Sequence, residues 1–179
     1  MSIVGKKAPS FDMQSTRDIK KLTENVRLED YQGKWLILLF YPLNFTAVCP
    51  TELLAFSDRI EEVKKLDAEI IGISTDSKYS HRAWINTPRE DSGVQGLRFP
   101  LASDQPQTVS RDYGVLMEGK GIALRGLFIV DPQGVVQYEV VHQLSIGRSV
   151  DETLRVLAAL QTGGFCASDW RPGQKQLVG

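Results

Sequence analysis

The feature that most constrains the fold is an uninterrupted apolar run from Trp35 to Tyr41, which Pro42 follows directly. A run without polar alternation is typical of a strand that is covered on both faces. Proline has no backbone N–H to donate to a neighbouring strand, so Pro42 predicts the end of this one. We therefore take this strand as the centre of the fold.

The residues after this strand predict a helix that begins at Cys49 and fades around Lys65. A thiol at a helix start lies beside unpaired backbone N–H groups and the positive end of the helix dipole, and both favour thiolate over thiol. From position alone a reactive cysteine is favoured, although a buried core cysteine is the common alternative. Apolar side chains continue along the face of Cys49 at helical spacing, at Leu53, Phe56, Ile60 and Val63.

The rest of the chain alternates between predicted strands and helices, and its length suits one well-filled core. This order predicts an α/β, thioredoxin-like fold, with a central mixed sheet flanked by helices and an extended C-terminal arm. We assign 1–163 to the folded domain and 164–179 to the arm, which carries Cys166. Beside the central strand and the Cys49 helix, the predicted elements are a hairpin-like segment in 1–34, strands at 69–75, 99–102, 122–130 and 135–142, and helices at 78–86, 107–113 and from Ser149 to Gly163.

Charge and cysteine content exclude several classes of protein. A net charge of −1 gives no electrostatic reason to expect nucleic acid or an anionic membrane as a partner, and no apolar run approaches the roughly 18 residues of a membrane span. Two cysteines, with His81 and His142 at no ligand spacing, are too few for a disulfide scaffold or a metal site. We expect a cytoplasmic protein without a cofactor; an organelle location after transit-peptide removal is compatible with the same sequence.

Arg125 is the one charged residue within an otherwise apolar predicted strand, GIALRGLFIVD. A guanidinium among core residues costs several kcal/mol unless an anion meets it. A carboxylate such as Glu52 and a thiolate at Cys49 are both suitable partners, and the two are compatible. Strand alternation predicts that Arg125 shares its face with Ala123, Leu127 and Ile129.

The segment FYPLNFTAVCPTE closely resembles the FYPxxFTxVCPTE signature of the peroxiredoxins, and Pro42, Thr46 and Cys49 occupy its core positions. The similarity covers nearly the whole chain and is to the typical two-cysteine branch, which includes alkyl hydroperoxide reductases and thioredoxin peroxidases. Further residues that match family motifs are Trp84 in AWINTP, Arg125 in LRGLFIVD, Arg148 in GRSVDETLR and Cys166 in FCASDWRPG.

The resemblance implies a thiol-dependent peroxidase that reduces hydrogen peroxide and alkyl hydroperoxides. Cys49 would attack the peroxide and become a sulfenic acid, Thr46 would orient the reactants, and Pro42 would shield the sulfur from water. Arg125 would polarise the O–O bond. Thr46 also suits a helix cap.

Three more residues would support this site by the same resemblance. Glu52 and Arg148 would hold Arg125, and Trp84 would support the site without touching the reacting atoms. For Arg148, an exposed ion pair remains an equal alternative.

Cys166 would be the second reacting cysteine. The resemblance implies a disulfide between Cys49 and Cys166 of the other subunit of an antiparallel homodimer, with dimers associating into decamers. A thioredoxin or a dedicated flavoprotein disulfide reductase would recycle it. An inert tail cysteine is the alternative reading of Cys166.

The sequence departs from the family pattern at several places. Asn44 and Ala47 replace the common Asp and Phe, and DSGVQGLRF stands where oxidation-sensitive members carry Gly-Gly-Leu-Gly. Such members also carry a C-terminal helix ending in Tyr-Phe, whereas this sequence ends at Gly179. We therefore expect resistance to oxidation of Cys49 to sulfinic acid.

Two other functions compete with the peroxidase hypothesis. A thiol–disulfide oxidoreductase of the same fold would need a Cys-x-x-Cys pair, but Pro50, Thr51 and Glu52 follow Cys49. A holdase-like or scaffold assembly would not need its thiols at all. Peroxide consumption that depends on Cys49 distinguishes these possibilities.

Overall fold

The computed structural model describes residues 1–179 and contains nine strands and five α-helices. No helix in it combines the length and the apolarity that crossing a membrane requires. The strands are β1 (Asp12–Ser15), β2 (Asn25–Arg27), β3 (Trp35–Phe40), β4 (Ala68–Ser74), β5 (Leu101–Ser103), β6 (Leu116–Met117), β7 (Ile122–Ala123), β8 (Arg125–Val130) and β9 (Val136–His142). The helices are α1 (Cys49–Asp58), α2 (Ile60–Lys65), α3 (Lys78–Asn86), α4 (Thr108–Asp112) and α5 (Val150–Gln161).

Seven strands form one mixed sheet in the order β2-β1-β5-β4-β3-β8-β9. β3 runs parallel to β4 and antiparallel to β8, and β4 runs parallel to β5. The remaining strands, β6 and β7, form a separate two-stranded ribbon. The predicted α/β class with a central mixed sheet is confirmed, and most element bounds differ from the predicted ones by one or two residues.

β3 is covered on both faces, as its apolar run predicted. Ile37 and Leu39 belong to one core cluster, together with side chains of α1, α2 and α5. Leu36 and Leu38 point to the opposite face, into a second cluster that includes residues of α4 and the N-terminal hairpin. Because side chains alternate along a strand, only a strand between two cores has no polar position.

The helix predicted from Cys49 to Lys65 is interrupted at Arg59, whose φ of −104° and ψ of 18° separate α1 from α2. The predicted apolar stripe survives this break, because Leu53 and Phe56 of α1 and Ile60 and Val63 of α2 lie in the same core cluster as Cys49. A proline in the first turn favours the helix start at Cys49, since its fixed φ suits a helix and its missing N–H is not needed there.

The predicted strand at 122–130 is also divided, because Leu124 leaves the sheet. The N–H of Leu124 donates to the carbonyl of Val115 at 2.8 Å, so β7 pairs with β6 and β8 alone continues in the main sheet. Ala123 consequently lies in the second cluster, whereas Leu127 and Ile129 lie in the cluster that contains Cys49. The expectation that Ala123 shares the face of Arg125 is wrong.

The end of the chain packs around α5. Ser149 caps this helix by accepting a hydrogen bond from the Glu152 N–H at 3.1 Å. The arm after α5 folds back through a bridge between Phe165 and Leu177, and it buries Trp170. Arg155 on α5 donates to the carbonyl of Trp170 at 3.1 Å, which fastens the arm to the helix that precedes it.

Candidate active site

Cys49 is the first residue of α1, and no part of it is exposed to solvent. The backbone N–H groups of a helix's first turn lack intrahelical partners and carry the positive end of the dipole. The structure therefore places this thiol at the helix start that the sequence predicted. Both cysteines are free.

Arg125 enters the site from the first position of β8. Its Nη1 atom donates to Sγ of Cys49 at 3.3 Å and to Oε2 of Glu52 at 2.7 Å. Its Nε atom donates to the carbonyl of Leu144 at 2.7 Å, which orients the guanidinium from the opposite side. Both anionic partners that the sequence left open thus contact the same nitrogen.

Glu52 lies one helical turn after Cys49 and joins Arg125 to Arg148. The backbone N–H and Nε of Arg148 each donate to Oε1 of Glu52 at 2.7 Å, and Nη2 donates to Oε2 at 3.0 Å. Nη1 of Arg148 reaches the carbonyls of Phe40 and Gly126, at the ends of two central strands. Because Arg148 is only 7% exposed, the alternative of an exposed ion pair is wrong.

Burial and mutual contact shift the pKa values of Glu52 and Arg148. Desolvation alone would raise the pKa of Glu52, but hydrogen bonds and charge from Arg148, with a further contribution from Arg125, bring this pKa below its usual value. Burial lowers the pKa of Arg148, and Glu52 offsets part of that effect. Two guanidinium groups and one carboxylate leave a single positive charge unbalanced, and this charge lies against Sγ of Cys49.

The loop between β3 and α1 carries Pro42 and Thr46. Pro42 is buried. The hydroxyl of Thr46 donates to the carbonyl of Leu43 at 3.0 Å, and no side chain caps α1, so the cap predicted as an alternative for Thr46 is not formed. The roles of Pro42 in shielding and of Thr46 in orienting a peroxide stay predictions.

Trp84 packs against this loop from α3. It is fully buried, and its ring centroid lies 5.7 Å from that of Tyr41 and 6.0 Å from that of Phe45. Its indole N–H donates to the carbonyl of Ser92 at 2.8 Å. Trp84 therefore packs against the residue before Pro42 and against Phe45 of the loop, and its support of the site goes through the loop.

Cys166 lies on the C-terminal arm and is partly exposed. Its sulfur is 3.5 Å from the hydroxyl of Thr162 and 3.9 Å from the carbonyl of Ala159, both at the end of α5. In this single chain it forms no disulfide with Cys49. Its role as the second reacting thiol stays a prediction.

Sequence reasoning missed two parts of the site. The carbonyl of Leu144 could not be found from a side-chain motif, because any residue can supply a backbone acceptor. Asn44 is buried and donates a hydrogen bond to Ser80 of α3. The sequence marked it only as a departure from the family signature. No group of three or more His, Cys, Asp or Glu residues lies together as a metal site would require.

Comparison with known proteins gives a consistent result. The family model described as AhpC/TSA matches residues 4–139. The 2-Cys peroxiredoxin BAS1 of Hordeum vulgare is 50% identical over 99% of this chain and 86% of its own length. Peroxiredoxin-2 of Bos taurus is 49% identical over 97% of this chain and 88% of its own. The crystal structure of the reduced 2-Cys peroxiredoxin of Plasmodium vivax superposes with a TM-score of 0.93 at 37% identity, covering 98% of this chain and 92% of that one.

Proposed function

The chain belongs to the AhpC/TSA family and is a peroxiredoxin, and on that premise we propose that Cys49 reduces hydrogen peroxide and alkyl hydroperoxides with the help of Arg125. Family membership makes the chain a thiol-dependent peroxidase. The single observation that carries the assignment of residues is the contact of Arg125 Nη1 with Sγ of Cys49 at 3.3 Å. A buried thiol with a guanidinium against it is the arrangement that activates a sulfur nucleophile.

The proposed reaction is a displacement on oxygen. The Cys49 thiolate attacks one peroxide oxygen, so an S–O bond forms while the O–O bond breaks. The other oxygen leaves as hydroxide or alkoxide and takes up a proton, and the cysteine becomes a sulfenic acid. Arg125 faces the sulfur, so its positive charge stabilises the negative charge that moves onto the leaving oxygen.

Glu52 and Arg148 keep this guanidinium in place. Glu52 accepts from both arginines, and Arg148 is tied to the main chain of two central strands. An arginine fixed before the reaction needs no reorganisation when charge develops, which is the source of its effect on rate. Pro42, as a buried residue of the adjoining loop, would limit water at the sulfur, and Thr46 would orient the peroxide.

Resolution of the sulfenic acid would use Cys166 of a second subunit. The sulfenic acid oxygen leaves as water when the Cys166 thiol forms the disulfide. Cys49 is fully buried, so the residues around it must open before two sulfurs can reach bonding distance. The edge strand β9 supports a homodimer. Gly5 and Lys6 bond to its first residue, Val136, but no strand pairs with the rest of its outer side, and its end exposes Val141 and, just beyond, Ile146. Association of such dimers into decamers is part of the same proposal.

A thioredoxin-type reductant, or a dedicated flavoprotein disulfide reductase, would return the disulfide to thiols. A relative from Echinococcus granulosus that is named thioredoxin peroxidase is 48% identical over 97% of this chain and 91% of its own length, which supports the first choice. We place the reaction in the cytoplasm.

Peroxide consumption coupled to a thioredoxin system tests the proposal. The wild-type protein should turn over, Cys49→Ser should be inactive, and Cys166→Ser should give one fast oxidation of Cys49 without turnover. Non-reducing electrophoresis after one equivalent of peroxide should show a covalent dimer that either substitution abolishes. Recycling of Cys166→Ser by thioredoxin would remove Cys166 from the mechanism. Unchanged peroxide consumption by Cys49→Ser would favour the scaffold function instead.

A further inference from the structure

Asn44 is buried within a loop whose neighbouring residues are exposed. It is 6% exposed, whereas Leu43 on one side is 37% and Phe45 on the other is 50% exposed. The loop lies between β3 and Cys49 and also carries Thr46. An amide side chain that points inward from such a loop joins the loop to whatever lies beneath it.

Beneath the loop, the hydrogen bonds of Asn44 reach Tyr41 directly after β3, the turn after β4, and α3. Its backbone N–H donates to Asp76 at 3.0 Å, and its Nδ2 atom donates to the hydroxyl of Ser80 at 2.9 Å. Its Oδ1 atom accepts from the hydroxyl of Tyr41 at 2.8 Å. The second Nδ2 hydrogen faces Nδ1 of His81 at 3.1 Å. Nearly all of its hydrogen-bonding capacity is therefore used.

His81 completes this network as a neutral imidazole, with Nδ1 also 3.3 Å from Oδ1 of Asn44 and from the hydroxyl of Tyr41. Its Nε2 atom lies 3.2 Å from the carbonyl of Ala102, so Nε2 carries the proton and Nδ1 is left to accept from Asn44. Full burial lowers the pKa of His81 to about 4, against a smaller opposing effect of Asp76. The groups that face this imidazole are Tyr41 directly after β3, Asp76 before α3, Asn44 and the Ala102 carbonyl of β5.

The loop also needs an anchor because its backbone is strained. Phe45 has a φ of 56°, in the left-handed region that residues other than glycine and asparagine seldom adopt. Strain of this kind persists only where the surroundings hold it. Here the buried Asn44 directly precedes the strained residue, and the Phe45 ring packs against Trp84. Release of Asn44 would let the loop relax away from Cys49.

We propose that Asn44 is a positioning residue that latches the loop between Pro42 and Val48 over Cys49, and so sets how fast the oxidised cysteine becomes accessible to Cys166. The proposal rests on the proposed function for its chemical consequence. Its structural consequence, closure of the loop, is independent of that function.

The amide is essential to this latch, because an aspartate at position 44 could not donate to Nδ1 of neutral His81. Such a carboxylate would also stand close to Asp76, whose Oδ2 atom accepts from the backbone N–H of residue 44. In Asn44→Asp, a protonated His81 could donate to the new carboxylate and hold the loop, whereas a neutral His81 with its proton on Nε2 could not. The wild-type amide donates to neutral His81, so the wild-type loop stays held above the pKa of His81.

The test compares Asn44→Ala with Asn86→Ala, the same change at an exposed position at the end of α3. After one equivalent of hydrogen peroxide, samples are quenched over time, and the sulfenic, disulfide and sulfinic forms of Cys49 are counted by mass spectrometry. Loss of the latch bonds should speed disulfide formation about tenfold, slow the first oxidation, and lower the sulfinic fraction in excess peroxide. Ser80→Ala should act in the same direction with a smaller effect, and Asn86→Ala should match wild type.

Amide hydrogen exchange of the loop gives a readout that needs no peroxide. The backbone amides of residues 45–49 should exchange faster in Asn44→Ala and Ser80→Ala than in Asn86→Ala. At pH 8, disulfide formation in Asn44→Asp should likewise be faster than in wild type, because a carboxylate cannot donate to Nδ1 of His81. Unchanged loop exchange in Ser80→Ala, together with a disulfide rate within twofold of wild type in both Ser80→Ala and Asn44→Asp, would overturn the latch even if Asn44→Ala failed to fold. Faster exchange without sulfenic acid in the wild type would instead contradict the proposed function.

Discussion

Nη1 of Arg125 lies 3.3 Å from Sγ of Cys49, and the same nitrogen lies 2.7 Å from Oε2 of Glu52. One guanidinium NH2 group therefore faces a carboxylate and a thiol at once, among buried side chains. The carboxylate is matched by Arg148, which leaves the charge of Arg125 available to the sulfur and to an oxygen bound beside it. Substitutions of Arg125 and of Glu52 should therefore have different effects, the first on the reaction at Cys49 and the second on the stability of the fold.

Arg125→Lys should lower kcat/KM for hydrogen peroxide by about 10²–10³-fold, because an ammonium cannot contact Cys49, Glu52 and the Leu144 carbonyl in the same fixed geometry. Stopped-flow peroxide consumption measures the effect. Arg111→Lys, which changes an exposed arginine paired with Glu118, is the matched control and should retain activity. A rate for Arg125→Lys within threefold of wild type would contradict the role given to this guanidinium.

Glu52→Gln should destabilise the folded protein by about 3–5 kcal/mol, because it leaves two buried guanidinium groups without their carboxylate. Urea denaturation monitored by tryptophan fluorescence gives the free energy of unfolding. The control is Glu118→Gln; the side chain of Glu118 is 63% exposed, so its loss should leave the free energy of unfolding close to that of wild type. Equal costs for the two variants would show that the buried cluster contributes no more than a surface ion pair.

His81 should make stability fall in mild acid. Its folded pKa of about 4 lies below its ordinary value of 6.5, so the folded protein binds fewer protons than the unfolded chain between these values. Lowering the pH through 6.5 therefore favours unfolding, and the loss should reach about 2 kcal/mol between pH 7.5 and pH 5.

His81→Gln should lose most of this pH dependence, while other groups titrate alike in both proteins. The informative quantity is the difference between the two free energies of unfolding at each pH. A constant difference from pH 7.5 to pH 5 would show that His81 is not held neutral by burial.

Sequence reasoning reached the parts of the fold that repeat a pattern. The apolar run of β3 identified a strand between two cores, and the spacing from Cys49 to Val63 identified the buried face of α1 and α2. It failed where a single backbone contact decides the outcome. Nothing in the helical pattern marks the break at Arg59, and nothing in GIALRGLF shows that Leu124 bonds to Val115 and turns Ala123 to the other core.

The candidate site was predictable to a similar depth. A charged Arg125 among core residues required a buried anion, so the pairing with Glu52 and Cys49 could be anticipated from burial costs alone. The carbonyls of Phe40, Gly126 and Leu144, which orient the two arginines, depend on where distant segments meet in space. The same holds for the bonds of Asn44, whose partners are 32 and 36 residues away in Asp76 and Ser80.

The central claim is that peroxide oxidises Cys49 to a sulfenic acid. The most direct test of this claim uses the Cys166→Ser variant. This variant should hold the reaction at its first product, because the second thiol is missing. One equivalent of hydrogen peroxide is added in the presence of a sulfenic-acid trap, and the modified residue is located by peptide mass spectrometry. The account predicts close to one trapped sulfenic acid per chain, all of it at Cys49. Peroxide consumed without modification of Cys49 would contradict it.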